Sequence, residues 1–169
     1  ADLDFEREFS MIPRKMSAGL PVAPTPETLP FERWRELGTE YVVMGSVRGS
    51  GQEFIVDSRL LSVRADSAGR QVWASTYEKC TLRNPRYCAH SIADDVHKNL
   101  RRLDGVARTQ LTFSSDRDGA RMSGRPTAAA GIGQEIYIAD YDGANQRRVT
   151  FNASLNITPA WSPTRGMLS

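Results

Sequence analysis

The feature that most constrains the fold lies between Glu135 and Pro163, near the end of the sequence. Residues 135–140 (EIYIAD) alternate apolar and polar side chains, which is the period of a strand with one buried face. Asp142-Gly143 follows, a dipeptide that favours a tight hairpin because glycine tolerates positive φ. Residues 146–151 (QRRVTF) predict the returning strand. The region is therefore expected to form antiparallel β structure.

A second Asp-Gly pair, Asp118-Gly119, follows another predicted strand at residues 109–114 (TQLTFS). Between the two turns, residues 121–133 are rich in Gly, Ala and Ser and predict a loop. Strands and turns of this kind, followed by a Pro-Ala-Trp-Ser-Pro segment, resemble a β-propeller blade. A propeller typically needs about four to eight blades. Residues 105–169 hold about one blade's worth of strands, so we expect antiparallel strands of an incomplete β-propeller there.

Residues 1–104 predict a small α/β (α+β) domain with a mixed sheet and a long C-terminal helix. Strands are expected at residues 41–47, 53–63 and 72–79. Short helical segments are expected at residues 2–9 and 31–37. The proline-rich residues 11–30 between them predict a connector without regular structure. The first strand, YVVMGSV, is nearly all apolar, as a strand covered on both faces would be.

The long helix is predicted to begin at Asn84-Pro85, because proline is favoured at the first helical position, and to run to about Leu103. At about 100° per residue an apolar stripe forms on one side of this helix. We expect that stripe to pack on the sheet; its members are Ala89, Ile92, Ala93, Val96, Leu100 and Leu103.

Charge and hydropathy exclude two classes of protein. The 22 Lys and Arg residues are balanced by 20 Asp and Glu, giving a net charge of only +2, and no stacking aromatics surround the basic pairs, so nucleic-acid binding is not expected. No apolar run approaches the ~20 residues of a membrane span.

One group of side chains on the long helix has the spacing of metal ligands. His90, Asp94 and His97 fall within a narrow arc of the helix and are able to face one point. The apolar stripe lies elsewhere on the helix, so this arc is expected beside solvent, as a polar flank. A zinc site would also need a further ligand or a water, and no other histidine exists in the sequence.

Four segments together resemble the TolB family, periplasmic components of the Tol–Pal cell-envelope system. They are residues 87–109 (YCAHSIADDVHKNLRRLDGVART), 111–119 (LTFSSDRDG), 135–150 (EIYIADYDGANQRRVT) and 154–163 (SLNITPAWSP). The resemblance covers nearly the whole chain and is most specific in its second half. It implies that residues 1–104 are a truncated N-terminal α/β domain, and that residues 105–169 are the first strands of the family's six-bladed propeller.

The resemblance also implies a function. Members of this family are non-enzymatic scaffolds without cofactors that act by protein–protein interaction. Their work concerns protein transport, outer-membrane integrity and envelope constriction during the cell cycle, at cell division. The propeller binds the peptidoglycan-associated lipoprotein Pal, and the extreme N-terminus contacts the inner-membrane protein TolA. The TolA-binding tail would precede Ala1, and most of the Pal-binding blades would follow the chain, so both contacts are expected to be lost or weakened here.

The resemblance bears on the two cysteines, Cys80 and Cys88, which fall at a predicted strand end and a predicted helix start. In an oxidising periplasm they would form a disulfide if their Cα atoms come within ~7 Å. Two alternatives stay open: Cys88 as a reactive thiol near a helix N-terminus, or both residues as buried free thiols.

Other functions have weaker support. The resemblance to propeller repeats also suits the N-terminal piece of a propeller-bearing peptidase. A metal-binding module at His90, Asp94 and His97 is a further alternative. Asp140–Asn145 is faintly like a calcium loop but lacks the closing glutamate, so a hairpin turn is the better interpretation. The sequence contains no Gly-x-Ser-x-Gly and no His-Glu-x-x-His motif.

Overall fold

The computed structural model describes residues 2–118, 133–152 and 155–162. The chain divides between Gly105 and Val106 into two compact units. Three expectations from the sequence fall partly or wholly outside the described residues: the loop at 121–133 (all but its last residue), the glycine of the Asp118-Gly119 turn and the proline at 163.

The first unit is built from three strands and a set of helices. Its elements, in chain order, are α1 (Asp2–Phe5), α2 (Arg14–Ser17), a 3₁₀ turn (Pro26–Thr28), α3 (Phe31–Glu36), β1 (Tyr41–Ser50), β2 (Glu53–Ser62), β3 (Gln71–Thr81) and α4 (Pro85–Arg101). The expectation that residues 11–30 lack regular structure was wrong at α2 and at the 3₁₀ turn. The prolines are compatible with both, since Pro13 precedes α2 and Pro26 opens the 3₁₀ turn.

The three strands form one sheet in the order β1-β2-β3, and both pairings are antiparallel. The expectation of a mixed sheet was therefore wrong. Short turns join neighbouring strands, and such turns permit only antiparallel pairing because a parallel pair needs a crossover. The core of this unit centres on β2 and the segment after it, where Leu60, Leu61 and Val63 are almost completely buried.

Among the described strands, β1 lies at an edge of its sheet, although its apolar sequence predicted a strand covered on both faces. Val43 is 43% exposed and Val47 is 69% exposed. Helix α4 packs against β3 and β2, at the other side of the sheet from this edge. The prediction of a strand covered on both faces was wrong because an apolar sequence describes only the side chains, whereas burial depends on which other segments cover the strand.

Helix α4 begins where the sequence predicted. The side chain of Asn84 accepts a hydrogen bond from the N–H of Tyr87, and Pro85 occupies the first turn. The helix has 17 residues and ends at Arg101, because Arg102 adopts the left-handed conformation with φ 62°. It is thus of ordinary length rather than long, and it stops before Leu103.

The predicted apolar stripe of α4 is only partly buried. Ala93 and Val96 are buried, Leu103 is 56% exposed, and Ala89 is also exposed. Polar residues share the buried surface, among them His90, Asp94 and His97. A helix with polar side chains in its buried surface must be covered by more than the sheet.

The second unit contains three described strands, β4 (Gln110–Ser115), β5 (Glu135–Asp140) and β6 (Arg147–Arg148), in the order β4-β5-β6. Both pairings are antiparallel, as the strand-turn-strand pattern predicted. Strand β5 is central, and its residues 135–139 are buried. Whether these strands belong to a propeller stays a prediction.

The predicted hairpin turn after β5 is confirmed. The N–H of Gly143 donates to the carbonyl of Asp140 at 2.8 Å, and Gly143 has φ 82°. The side chain of Asn145 donates to the Asp140 carboxylate at 2.6 Å. The aspartate oxygens thus serve the turn itself, which is the role of such residues in tight turns.

In the part of the chain that the structure describes, no helix combines the length and the hydropathy needed to cross a membrane.

The first unit leaves no space for a side chain at Gly105. A Cβ at this position would lie 2.6 Å from the Cα of Asp94, which is backbone of α4 and unable to move aside cheaply. We expect Gly105→Ala to lower the free energy of unfolding by about 1–3 kcal/mol. Urea denaturation followed by circular dichroism measures this change.

Gly19→Ala is the matched control, because nothing lies within 4 Å of a Cβ there. It should leave the free energy of unfolding within about 1 kcal/mol of the original chain. Equal stability of the two variants would contradict the close contact at Gly105.

Candidate functional site

The structure joins Cys80 and Cys88 in a disulfide. Cys80 lies near the end of β3, Cys88 lies in the first turn of α4, and their Cα atoms are 5.8 Å apart. Both residues are buried, and the chain has no free cysteine. Neither residue is therefore a free or reactive thiol in this structure, and the bond anchors α4 to the end of its preceding strand.

A second contact ties α4 to the same strand. The hydroxyl of Tyr77 on β3 donates to the carboxylate of Asp95 on α4 at 2.5 Å. Tyr77 and Cys80 are both on β3, while Asp95 and Cys88 are two turns apart on the helix. Two separated points of attachment define the direction of α4 over the sheet.

The metal-ligand candidates His90, Asp94 and His97 are buried, with exposures of 6%, 3% and 7%. The expectation that they lie beside solvent was wrong, because α1 and the residues after it cover this side of α4. Among residues 2–118, 133–152 and 155–162, no group of three or more His, Cys, Asp or Glu side chains is arranged to hold a metal.

The covering segment, residues 2–9, carries a series of acidic side chains that meet basic ones on α4. Asp2 contacts His90, with 2.8 Å between its Oδ2 and Nδ1. Glu8 contacts Arg101 at 2.8 Å. We call residues 2–9 the acidic cover. It supplies partners for polar groups that a purely apolar surface would leave unsatisfied.

The contact in the middle of the acidic cover is longer than those at its two ends. Glu6 and His97 are both nearly buried, yet 3.9 Å separates Oε2 of Glu6 from Nε2 of His97. The ring of Phe9 meets the His97 ring edge-on, with 5.7 Å between their centres. His90 and His97 therefore contact different residues of the cover, and they do not converge on one point.

Gly105 packs against Asp94, the remaining metal-ligand candidate. The contact of its Cα region with Asp94 is so close that a side chain at position 105 would overlap the Asp94 carboxylate. Asp94 is thus enclosed within the first unit. Each of the three candidates has a packing role.

In the second unit, a buried carboxylate organises the end of the sheet. Glu135 is 2% exposed and lies 2.7 Å from the Arg148 guanidinium. The hydroxyl of Thr150 also donates to it, as does the amide of Asn156 at 3.3 Å. Several donors around one buried carboxylate compensate its loss of hydration. This cluster joins Arg148, Thr150 and Asn156 to the start of β5.

A stack of an arginine and two aromatic rings lies on the same sheet. The Arg117 guanidinium is 4.6 Å from the centre of the Tyr137 ring and 5.3 Å from that of Phe113. The Tyr137 hydroxyl donates to Asp118, and this hydrogen bond raises the pKa of Tyr137 above its usual value. The stack and this hydrogen bond hold Arg117 and Asp118 against the sheet.

Large apolar side chains are exposed after β6. Phe151 is 68% exposed, and Trp161 is 39% exposed. Leu155 and Ile157, between them in the chain, are exposed as well. Large exposed apolar side chains of this kind offer surface for contact with another protein or with another part of a protein.

Sequence reasoning missed the acidic cover and the cluster around Glu135. The signal for the first was present, since Asp2 and Glu6 are one helical turn apart and able to line one side of a segment. No local pattern identifies the second, because Glu135 looks like the polar residue that opens an ordinary strand.

No protein-family model matches the chain. Curated relatives do match it. The Tol-Pal system protein TolB of Mannheimia succiniciproducens is 30% identical over 164 residues, which are 96% of this chain and 35% of that relative. The protein of the same name from Haemophilus influenzae is 28% identical over 155 residues, 91% of this chain and 32% of the relative. The protein of the same name from Desulfosudis oleivorans is 27% identical over 162 residues, which are 95% of this chain and 33% of that relative.

The chain is thus TolB-like over nearly its whole length, as its sequence motifs predicted. It spans about a third of the length of these relatives. What the relatives do as whole proteins comes to this chain only as a proposal.

The disulfide generates a direct test. Replacing both cysteines by alanine should lower the free energy of unfolding by about 2–3 kcal/mol, because the bond closes a short loop and restricts the unfolded chain. Thermal and urea denaturation measure the loss.

The control uses a reductant. Dithiothreitol should bring the original chain to the stability of the double variant and leave the variant unchanged. If the reductant destabilises both proteins equally, the bond does not account for the difference.

Proposed function

We propose that this protein is a non-enzymatic periplasmic component of the Tol–Pal system that acts by binding other proteins. In this role it would contribute to outer-membrane integrity and to constriction of the cell envelope at division. The observation that carries the proposal is the similarity to relatives named as TolB, which extends over 164 residues and so includes both units.

The domain organisation is part of the proposal. Residues 1–104 are an N-terminal α/β domain of the TolB type, and residues 105–169 supply strands of a β-propeller. The antiparallel order β4-β5-β6, with a tight Asp-Gly hairpin between the last two strands, supports the second assignment. The exposed Phe151 and Trp161 also support it, since they offer apolar surface to neighbouring blades.

The disulfide supports a periplasmic location. Structural disulfides persist in oxidising compartments such as the bacterial periplasm and are rare in the cytosol. The Cys80–Cys88 bond is buried and ties together two elements of the first unit. A bond in that position suits a protein that folds where thiols are oxidised.

The proposed partners are Pal and TolA. In the described residues, no group of three or more His, Cys, Asp or Glu side chains is arranged to hold a metal, and both cysteines are bonded to each other. Buried acidic and basic groups are instead paired within each unit, as at Asp2–His90 and Glu135–Arg148. This pattern suits a protein that acts by binding other proteins at its surface.

Binding is tested with purified chain and the soluble domains of Pal and TolA, by isothermal titration calorimetry. We expect binding to at least one of them, at least tenfold weaker than that of the Haemophilus influenzae relative, because the chain spans 32% of that relative and presents less surface. A tenfold difference corresponds to about 1.4 kcal/mol of binding free energy.

A peptidoglycan-binding domain from outside the Tol–Pal system is the negative control. Absence of binding to both Pal and TolA at about 100 µM, a concentration that detects even weak complexes, would overturn the proposed partners.

A further inference from the structure

One arginine of the second unit, Arg117, rests on an aromatic platform. Its guanidinium lies over the Tyr137 ring, 4.6 Å from the ring centre, and 5.3 Å from the centre of the Phe113 ring. Phe113 and Tyr137 are directly opposite each other in the β4–β5 ladder, and their ring planes differ by only 18°. The sheet therefore fixes the two rings that carry the guanidinium.

Two hydrogen bonds fix the rotation of this guanidinium. Its Nε donates to the hydroxyl of Ser115 at 2.9 Å, and its Nη1 donates to Oε1 of Gln146 at 2.5 Å. The Gln146 side chain is itself held by the Asp-Gly hairpin, because its Nε2 donates to the carbonyl of Gly143 at 2.8 Å. The long side chain of Arg117 is thus oriented by the fold, and this lowers the entropy that it loses when it binds a ligand.

The same contacts leave Nη2 able to bind a further acceptor. A guanidinium has five N–H groups, and the contacts with Ser115 and Gln146 use one at Nε and one at Nη1. Both of these acceptors are neutral. Within the part of the chain that the structure describes, Arg117 makes no ion pair with a carboxylate, and its side chain is exposed.

A second stacked arginine on the same sheet differs from Arg117 in its charge partner. Arg148 lies 4.8 Å from the centre of the Phe151 ring, and it is paired with the buried carboxylate of Glu135 at 2.7 Å. Arg117 has a similar aromatic contact but only neutral acceptors. An arginine stacked on a ring keeps its planar edge available, and that edge matches the geometry of a carboxylate.

We propose that Arg117, on the platform of Phe113 and Tyr137, binds a carboxylate side chain from an acidic segment of a partner protein. The inference rests on the proposed function only in that the partner is a protein. In the complex, Nη2 of Arg117 donates to the carboxylate oxygens. Arginine and tyrosine are enriched among the residues that dominate the binding energy of protein interfaces, so an oriented arginine of this kind suits such a role.

The neighbouring charge favours a carboxylate over a phosphate group. Asp118 accepts a hydrogen bond from the Tyr137 hydroxyl, so its negative charge lies beside the platform. This charge repels a bound anion, and the repulsion increases with the charge of the anion. A carboxylate carries one negative charge, whereas a phosphorylated side chain carries nearly two at neutral pH. The site is therefore better suited to aspartate or glutamate.

The test uses the whole chain and a pair of short peptides with blocked ends. One peptide consists of glycine, serine and adjacent glutamates, and in the other each glutamate is replaced by glutamine. Backbone amide signals in NMR follow the titration at constant ionic strength. We expect a dissociation constant on the order of 1–10 mM for the glutamate peptide and an affinity about three- to fivefold lower for the glutamine peptide. Equal affinity for the two peptides would overturn the proposal.

Two matched variants locate the binding. Arg117→Gln should lower the affinity for the glutamate peptide to that for the glutamine peptide. Arg147→Gln removes the same charge at an exposed position of β6 and should leave the affinity unchanged, because Arg147 pairs with Ile138 and lies on the other face from Tyr137. Equal weakening by both variants means that the peptide responds to net charge, and it refutes the assignment to Arg117.

Gln146 is a positioning residue in this proposal, and it gives an independent test. Gln146→Ala changes no charge but removes the acceptor of Nη1, so it should weaken binding of the glutamate peptide about two- to threefold and lower the NMR order parameter of the Arg117 Nε–H group. Unchanged affinity and order would contradict the orientation of the arginine by Gln146. Neither Pal nor TolA enters these experiments, so failure of this site is distinguishable from failure of the proposed partners.

Discussion

The disulfide between Cys80 and Cys88 is the constraint on which the first unit depends. It joins the end of β3 to the first turn of α4, so the helix is held against the sheet from its first turn. The Tyr77–Asp95 hydrogen bond then sets the direction of the helix. With α4 in place, its far side becomes the surface on which residues 2–9 pack. The disulfide and the Tyr77–Asp95 hydrogen bond thus hold α4 to β3, and ion pairs hold residues 2–9 to α4.

Ion pairs between helix α4 and residues 2–9 explain why α4 buries polar side chains on the side away from the sheet. A helix covered by a sheet on one side ordinarily shows polar side chains to solvent on the other. On α4 the polar side meets the acidic cover, where Asp2 and Glu8 contact His90 and Arg101. Two of the side chains that had the spacing of metal ligands, His90 and His97, are therefore part of the packing between two segments far apart in sequence.

The two units use their surfaces differently. In the first unit, exposed apolar side chains lie on β1, where Val43 and Val47 flank a glycine. In the second unit, the buried Glu135 carboxylate is paired with Arg148. The aromatic side chains of Phe151 and Trp161 are exposed at its surface. Exposed apolar side chains in both units favour contact with other protein segments, because burial of apolar surface stabilises association. This is the physical basis for proposing a binding function.

Local chemistry in the sequence determined the strands, the Asp142-Gly143 hairpin and the start of α4 at Pro85, because alternation, positive φ and the first helical turn are properties of neighbouring residues. The motifs also predicted the TolB likeness. Tertiary structure alone decided that the apolar β1 lies at an edge, that the sheet is wholly antiparallel, and that His90, Asp94 and His97 are buried. These outcomes depend on which distant segment covers each face, and periodicity carries no information about a partner that lies elsewhere in the chain.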